Sequence, residues 1–377
     1  MRYCLFRAIF VLIRWHKQRK YAYLLETQLP ENIERYQLQI GGHRLSEREA
    51  ILVDKSSNYL LKPWQNHQRG IREWRFYEEI WQSGSQDDEI VVKMMKQFVP
   101  FYAGLQSVQL SRSRAVPCLR LENLTSHCKL PAILDVKISS NAANPHLTCS
   151  ERKARSCLQS PIFSQIGFQV TGFRTYNADT GCVSACDDRF LIGRDRQSTT
   201  RALKTFLQIS QSNVTHQLRI LHSIIAQLSE LFELFSFQTQ YKFYSTSILI
   251  IYDASPVVTN CSTDAVKQAK DMINVAKPRK NTKASPSSAL LSTRMLRADG
   301  KKLSQPEAST GVVASSDRGE KLPINEVAKV KLIDFAHAHR CPENNTATDE
   351  QCLKGVSGLI DFFNSIWRET TTTLNGS

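Results

Sequence analysis

Pro131-Ala-Ile-Leu-Asp135-Val-Lys137 is the stretch on which the reading of this chain turns. Asp135 and Lys137 stand two apart, so in an extended strand both side chains leave from one face. A carboxylate and an ammonium projecting from an otherwise apolar segment are costly to bury without partners. Two readings stand side by side. One is a buried structural ion pair. The other is a phosphoryl-transfer site, where a carboxylate serves a metal ion or nucleotide hydroxyls and a lysine serves phosphate oxygens.

The segments around this stretch set its context. Residues 36–63 alternate as strands do, with a Gly41-Gly42 turn, and Tyr59-Leu-Leu-Lys62-Pro63 reads as a strand with one inward lysine. Gln68–Trp81 has helical spacing: Ile71, Trp74, Phe76, Tyr77 and Ile80 form one face, with Arg69, Arg72, Glu73 and Glu78 elsewhere. Pro117–Leu124 and Pro131–Ile138 read as buried strands. Gln217–Phe237 is the longest helical pattern and is assigned to core packing. Phe243–Tyr252 reads as one continuous buried strand. Residues 256–326 are rich in Ser, Thr, Lys, Ala and Pro, the composition of a disordered insertion. Within them Lys277-Pro-Arg279-Lys280-Asn-Thr-Lys283 is either a solvated charge run or a nuclear import signal. Order resumes with a strand over Val327–Phe335 that carries Asp334 at its end, and a helix from Gly355 to Trp367 closes the chain.

The 377 residues suffice for two lobes around a cleft, and 41% hydrophobic with 22% charged residues is an ordinary globular mixture. Lys and Arg number 49 against 35 Asp and Glu, a net charge of +14 that predicts anionic company. Basic residues are not interleaved with aromatics on one face, so nucleic acid is not an expected partner. The ten cysteines form no CxxC pair, which argues against structural zinc and for a reduced, intracellular protein. The apolar run Tyr3–Trp15 is interrupted by Arg7 and Arg14 and is too short to cross a bilayer, so no transmembrane segment is expected.

Four ingredients of phosphoryl transfer follow one another along the chain. Lys62 is a strand lysine suited to α/β-phosphates. Leu119–Thr125 is a strand running into a loop that can offer backbone groups to an adenine edge. Asp135 and Lys137 come next. Asp334, in Ile333-Asp334-Phe335-Ala-His337, stands at a strand end as a Mg²⁺ ligand does. GxxxxGK[ST], GxGxxG, HRD and HExxH motifs are all absent, which excludes ordinary P-loop enzymes and protein kinases.

These ordered segments resemble the inositol polyphosphate kinase family, its multikinase branch most of all. Pro131–Lys137 is similar to the family's PxxxDxKxG signature, Phe243–Asp253 to its Ser-Ser-Leu-Leu strand, and Ile333–His337 to its IDFAH motif. Gln165–Tyr176 and Asp349 with Gly355 match further family segments. The resemblance implies an α+β, two-lobed kinase-like fold with the ATP cleft between the lobes. Its parts would be an N-terminal extension (1–35), an N-terminal lobe (36–125), and a C-terminal lobe (126–255 and 327–370), with the insertion at 256–326. It implies an inositol polyphosphate kinase using ATP and Mg²⁺, acting on trisphosphate or tetrakisphosphate acceptors. A hexakisphosphate kinase and a degenerate inositol phosphate-binding scaffold are the alternatives. Lys62 would hold ATP phosphates, Glu122 and the Leu124 backbone the adenine, Asp135 the nucleotide ribose, and Asp334 the metal. Lys137 would lie between the transferred phosphate and the acceptor hydroxyl. Arg152, Lys153, Arg155 and His337 would hold the acceptor, in a pocket over residues 139–166. Phosphoinositide lipid headgroups are further candidate ligands, and a monomer in nucleus and cytoplasm is expected. Four positions depart from the family pattern, one of them Phe190, which falls where a polar substrate contact is expected. Ser139 replaces a glycine, with a strained turn as the expected consequence. Asn123 stands where a hinge Asp is usual, and Gln159 where a substrate-facing Lys is expected.

Overall fold

The computed structural model describes residues 29–40, 50–65, 67–82, 90–111, 114–140, 142, 144–157, 159–176, 182–187, 192–209, 214–255 and 327–375. The expectations for the first 28 residues, the Gly41-Gly42 turn, Phe190 and the 256–326 insertion lie outside the described residues.

Among the described residues, short strands β1 (Ile33–Arg35), β2 (Leu52–Asp54) and β3 (Tyr59–Pro63) come first, followed by helices α1 (His67–Gln82) and α2 (Ile90–Phe98). Strands β4 (Tyr102–Ser111) and β5 (Arg114–Leu121) complete an antiparallel sheet in the order β1-β2-β3-β5-β4. Pro117 is tolerated in the interior strand β5 because β3 pairing ends at Cys118, opposite Pro63, leaving no ladder donor to supply on that side. Leu124, expected at a strand end, lies instead in a turn after β5.

Next come β6 (Pro131–Lys137), helices α3 (Cys149–Ser156) and α4 (Phe163–Ile166), strands β7 (Gln169–Tyr176) and β8 (Val183–Cys186), and helices α5 (Arg196–Leu207) and α6 (Val214–Phe237). Strands β9 (Tyr241–Phe243), β10 (Ser247–Asp253), β11 (Ala328–Ile333) and β12 (Ala338–Arg340) precede the last helix, α7 (Glu350–Asn375). The second antiparallel sheet runs β11-β10-β6-β7-β8, and β9 pairs with β12 in a small ribbon. Strand β6 therefore sits at the centre of the second sheet. Its register sets Lys137 opposite Ser247, and Ser247 opposite Ile333, so Lys137 and the residue after β11 reach the same sheet end.

One expected strand is two. Tyr244-Ser245-Thr246 interrupts the run from Phe243 to Tyr252, and Ser245 takes φ +70°. Hydroxyl side chains that bond locally to backbone favour such breaks over a continuous ladder. The alternating faces of β6 and β10 separate two environments. Leu134 and Val136 enter the large core with α6 and α7, while Ile133 and Ile251 form a smaller cluster with Leu124. Helix α6 is long and apolar enough to cross a membrane, yet Leu218, Leu221, Leu228, Leu231 and Leu234 are buried within the core.

Helices α1 and α2 share that large core with the second sheet. Phe76 stacks on Phe335 at 4.1 Å and meets Tyr241 and Phe243 edge-on at 5.3 and 5.6 Å. Such aromatic contacts contribute about 0.5–1.5 kcal/mol each beyond area burial. On the far side, Asp349 caps α7 by accepting from Cys352 N–H at 3.2 Å, and it also accepts from Phe243 N–H at 2.7 Å.

Helix α7 approaches the backbone after β6 closely enough to require glycine. A Cβ on Gly355 would lie 2.6 Å from the Ile138 carbonyl oxygen and 2.9 Å from that of Gly167. Gly355→Ala should destabilise the protein by about 1–3 kcal/mol, the usual penalty for forcing volume into a packed contact. Chemical denaturation reads this directly. Because alanine favours a helix by up to about 1 kcal/mol, a stabilised variant would show that the approach is not limiting.

Candidate active site

Lys62 of β3 points into the space between the two sheets. Its ammonium donates to Glu73 Oε1 at 2.7 Å and to Asp334 Oδ1 at 2.8 Å. Glu73, on α1, is 1% exposed and also accepts from the Phe335 backbone N–H at 3.3 Å. Burial works against the Lys62 charge, but Asp334 and Glu73 more than compensate and hold the ammonium protonated well above its ordinary range. Partial removal from water raises the Asp334 carboxyl. Lys62, with Lys137 and Arg69 behind it, overrides this and keeps Asp334 below the usual carboxylate range.

Asp334 is held at φ +67°. Thr246 Oγ donates to its carbonyl at 3.3 Å, and Arg72 Nε donates to the Ala336 carbonyl at 2.9 Å. The same junction receives Lys137, whose ammonium donates to Ser245 Oγ at 2.8 Å. Ser139 belongs to it as well. Its hydroxyl accepts from Thr246 N–H at 3.0 Å, and its backbone does not take a positive φ, so the strained turn expected there is absent. The close approach in this region is provided by Gly355 from the helix side.

Asp135 lies at the centre of this arrangement, 5% exposed. Its Oδ1 is buried with no hydrogen-bond partner among the described residues. Burial first, then the charge of Asp334, pushes its carboxyl up to about 6. An orphaned acceptor beside a second carboxylate is the donor set that hard cations and hydroxyl groups satisfy. Ile40 closes over this face: a Cβ on Gly172, the residue opposite Asp135 on β7, would meet Ile40 Cγ2 at 2.7 Å.

Glu122 ends the first sheet. Its carboxylate accepts from Phe101 N–H at 3.3 Å and pairs with Lys329 at 3.7 Å, so the side chain braces the segment that follows β5. Asn123 makes an Asx turn, accepting from Thr125 N–H at 3.2 Å, while its amide donates to Asn58 Oδ1 at 2.9 Å. An Asp could accept in that turn but could not donate to the Asn58 side-chain carbonyl as the Asn123 amide does.

At the other end of the site His337 is 6% exposed. Burial, then Arg69 and Arg72 of α1 and Arg155 of α3, push its pKa down to about 3. Helix α3 begins with a capping box between Thr148 and Glu151. Of its three cations, Arg155 bears on His337, Arg152 donates back to Cys149 Sγ at 3.3 Å, and Lys153 is exposed. Gln159 donates to Ser140 Oγ and is half-buried.

Lys62, Asp135, Lys137 and Asp334 thus converge, with His337 three residues beyond Asp334 along the chain. Three residues that the sequence reading did not assign to the site join them: Glu73, Arg69 and Arg72. Glu73 stands three residues before Phe76 and four before Tyr77, beside their face, but its spacing alone does not separate it from the solvated carboxylates of the same helix.

Comparison with known proteins places these features in context. The family model for inositol polyphosphate kinase matches residues 118–364. Inositol polyphosphate multikinase beta of Arabidopsis thaliana is 29% identical over 242 residues, 60% of this chain and 78% of that protein. The multikinase of Mus musculus is 24% identical over 217 residues, covering 58% of this chain but only 53% of the mouse protein. The crystal structure of the Saccharomyces cerevisiae inositol phosphate multikinase Ipk2, in complex with ADP and Mn²⁺, superposes with a TM-score of 0.50 at 17% identity. It covers 82% of this chain and 98% of that one, a likeness of fold.

The raised Asp135 carboxyl has a consequence for stability. A folded-state pKa of about 6 against an ordinary 3.8 favours the protonated form in the fold. Stability from this group is therefore present below about pH 4 and is lost as pH rises through about 6. Asp135→Asn should stabilise the protein at neutral pH by on the order of 1–3 kcal/mol, and the gain should shrink toward pH 4. Denaturation at several pH values measures this, and a pH-independent difference would contradict the assigned burial.

Proposed function

The chain belongs to the inositol polyphosphate kinase family, and we propose that it transfers the γ-phosphoryl group of ATP to a hydroxyl of an inositol polyphosphate. The observation that carries this reading is the charge separation across the site. At one end Glu73 and Asp334 hold Lys62, with the Asp135 carboxylate bearing on Asp334, while Arg69, Arg72 and Arg155 bear on His337 at the other. The first end suits a metal-bound nucleotide and the second a polyanionic acceptor.

The donor set fits Mg²⁺, which takes oxygen ligands and would be held by Asp334, with the unpartnered Asp135 Oδ1 available to the metal or to the ribose. Bound there, the metal would neutralise charge on the phosphate oxygens. Lys62, fixed by two carboxylates, presents a charged ammonium to the α/β-phosphates. The Glu122–Leu124 backbone receives the adenine edge, and Ile133, Leu124 and Ile251 give it an apolar floor. Lys137 moves from Ser245 to the phosphoryl group in flight, where a preorganised cation lowers the barrier most. Arg155, Arg152, Lys153 and His337 orient the acceptor, with Arg69 and Arg72 added from α1.

The multikinase reading, with trisphosphate and tetrakisphosphate acceptors, rests on the compact 139–166 segment and on the relatives matched. Ser139 and Asn123 are both accommodated by hydrogen bonds, so neither favours a degenerate scaffold. Phosphoinositide headgroups, a monomeric state and a nuclear and cytoplasmic location extend the proposal. The last rests on the Lys277–Lys283 cluster.

Radiolabel transfer from ATP to a panel of inositol phosphates and soluble phosphoinositides tests the reaction. Lys137→Ala should lower kcat by about 10²–10³-fold with the fold intact. Ligand binding without transfer by the intact protein would replace the kinase with a binding protein. Turnover that survives Lys137→Ala would remove that residue from the mechanism. Replacing Lys277, Arg279, Lys280 and Lys283 by alanine in a tagged chain should reduce nuclear signal, and an unchanged distribution would discard the import reading.

A further inference from the structure

Asn144 lies in the segment between β6 and α3 and is 1% exposed. The two ends of its amide can be told apart. The His146 backbone N–H, which can only donate, lies 3.0 Å from Asn144 Oδ1, so that end is the carbonyl. The amide nitrogen is therefore the end that faces His337 Nδ1, at 3.5 Å, the long limit of a hydrogen bond. An amide NH₂ can only donate, so Nδ1 must accept, and the single proton of the neutral ring rests on Nε2. A proton on Nδ1, in the other tautomer or in the imidazolium, would set donor against donor.

We propose that Asn144 is a positioning residue that holds His337 as the Nε2–H tautomer, so that the ring offers a neutral N–H donor to a phosphate oxygen of the acceptor, a use that presupposes the kinase reading above. The surroundings agree with a neutral ring. Arg69 and Arg72 from α1, Arg155 from α3 and His339 from β12 all bear on His337 and oppose its protonation. His146 stacks on His339 with centroids 4.2 Å apart and rings 15° from parallel, fixing the segment that carries Asn144. Among arginines, a neutral donor adds a directed bond to phosphate without adding like-charge repulsion. The backbone contributes too: the His337 carbonyl accepts from Tyr244 N–H at 3.2 Å, which limits rotation of the residue.

Long-range proton–nitrogen NMR of the histidine rings tests the tautomer without substrate, with His337→Gln used to assign the signals. The wild-type ring should show an unprotonated Nδ1 and a protonated Nε2, with no titration between about pH 5 and 8. Asn144→Asp keeps the acceptor for His146 N–H, so the turn should survive, but it offers a carboxylate to Nδ1. That variant should invert the tautomer and bring His337 titration toward neutrality. In the transfer assay its acceptor KM should rise about tenfold at pH 8, the size of one hydrogen bond to a charged group, with kcat affected less. The KM should recover as pH falls and the imidazolium regains Nε2–H, whereas the wild-type KM stays flat. A protonated wild-type Nδ1, or an unchanged tautomer in Asn144→Asp, overturns the positioning role. Inversion with a KM profile like that of the wild type overturns the donor role and leaves the kinase reading intact. Absence of transfer by the wild type strikes the kinase reading and, with it, the donor role, while the tautomer is still decided by NMR.

Discussion

One ammonium joins the two halves of this molecule. Lys62 comes from the first sheet, Glu73 from α1, and Asp334 from the end of β11 in the second sheet, and the ammonium lies 2.7 and 2.8 Å from the two carboxylates. A buried charge group of this kind is no dependable source of stability, but it is intolerant of partial removal, because each deletion strands an opposite charge. Directly behind it, Phe76 stacks on Phe335, the residue next to Asp334. The polar cluster and the aromatic stack pin the same two elements from opposite sides. Since α1 and α2 are built into the core of the second sheet, the Lys62–Glu73 pair is preformed and does not wait for a helix to swing inward.

The cluster depends in turn on backbone that is held away from its preferred conformations. Ser245 and Asp334 both occupy the left-handed region, at φ +70° and +67°, at a strain of order 1–3 kcal/mol each. Hydrogen bonds hold both in place: Lys137 on Ser245, Lys62 on the Asp334 carboxylate, and Thr246 on the Asp334 carbonyl. The orphaned Asp135 oxygen lies in the same few residues. Strain and an unsatisfied buried acceptor at one sheet end are what a fold tolerates where function requires it.

The pattern of β6 was legible because alternation places Asp135 and Lys137 on one face, and the observed strand ends within one residue of the expected one. Helix α1 was equally plain from its apolar spacing. Glu73 was not, since a carboxylate in a charged helix reads as a solvated one until its lysine is known to lie on an adjacent strand. The break at Ser245 was hidden by an unbroken apolar and hydroxyl run, in which nothing local demands a positive φ. Helix α7 extends to Asn375, well past Trp367, although Thr370–Thr373 have poor helix propensity. Their hydroxyls bond back to carbonyls one turn earlier, as Thr370 does to Ile366 and Thr372 to Arg368. Strain at Ser139 was expected from its difference from a family pattern. The structure answers it with a hydroxyl acceptor for Thr246 and a glycine on the facing helix.

The net charge of +14 predicted anionic company without saying where it would sit. The site resolves this by treating its ionisable groups in opposite ways at its two ends. Around Lys62 carboxylates are in excess, so the lysine stays charged and a further cation is welcome. Around His337 guanidinium groups are in excess, so the histidine stays neutral and an anion is welcome. Arg69 stands at the boundary, bearing on both Asp334 and His337. Under the proposed reaction a phosphoryl group leaves a metal-bound nucleotide and arrives on a polyanion, so it must cross that boundary. Lys137 is the cation placed there, bearing on Asp334 and donating to a serine hydroxyl that it can release as negative charge approaches.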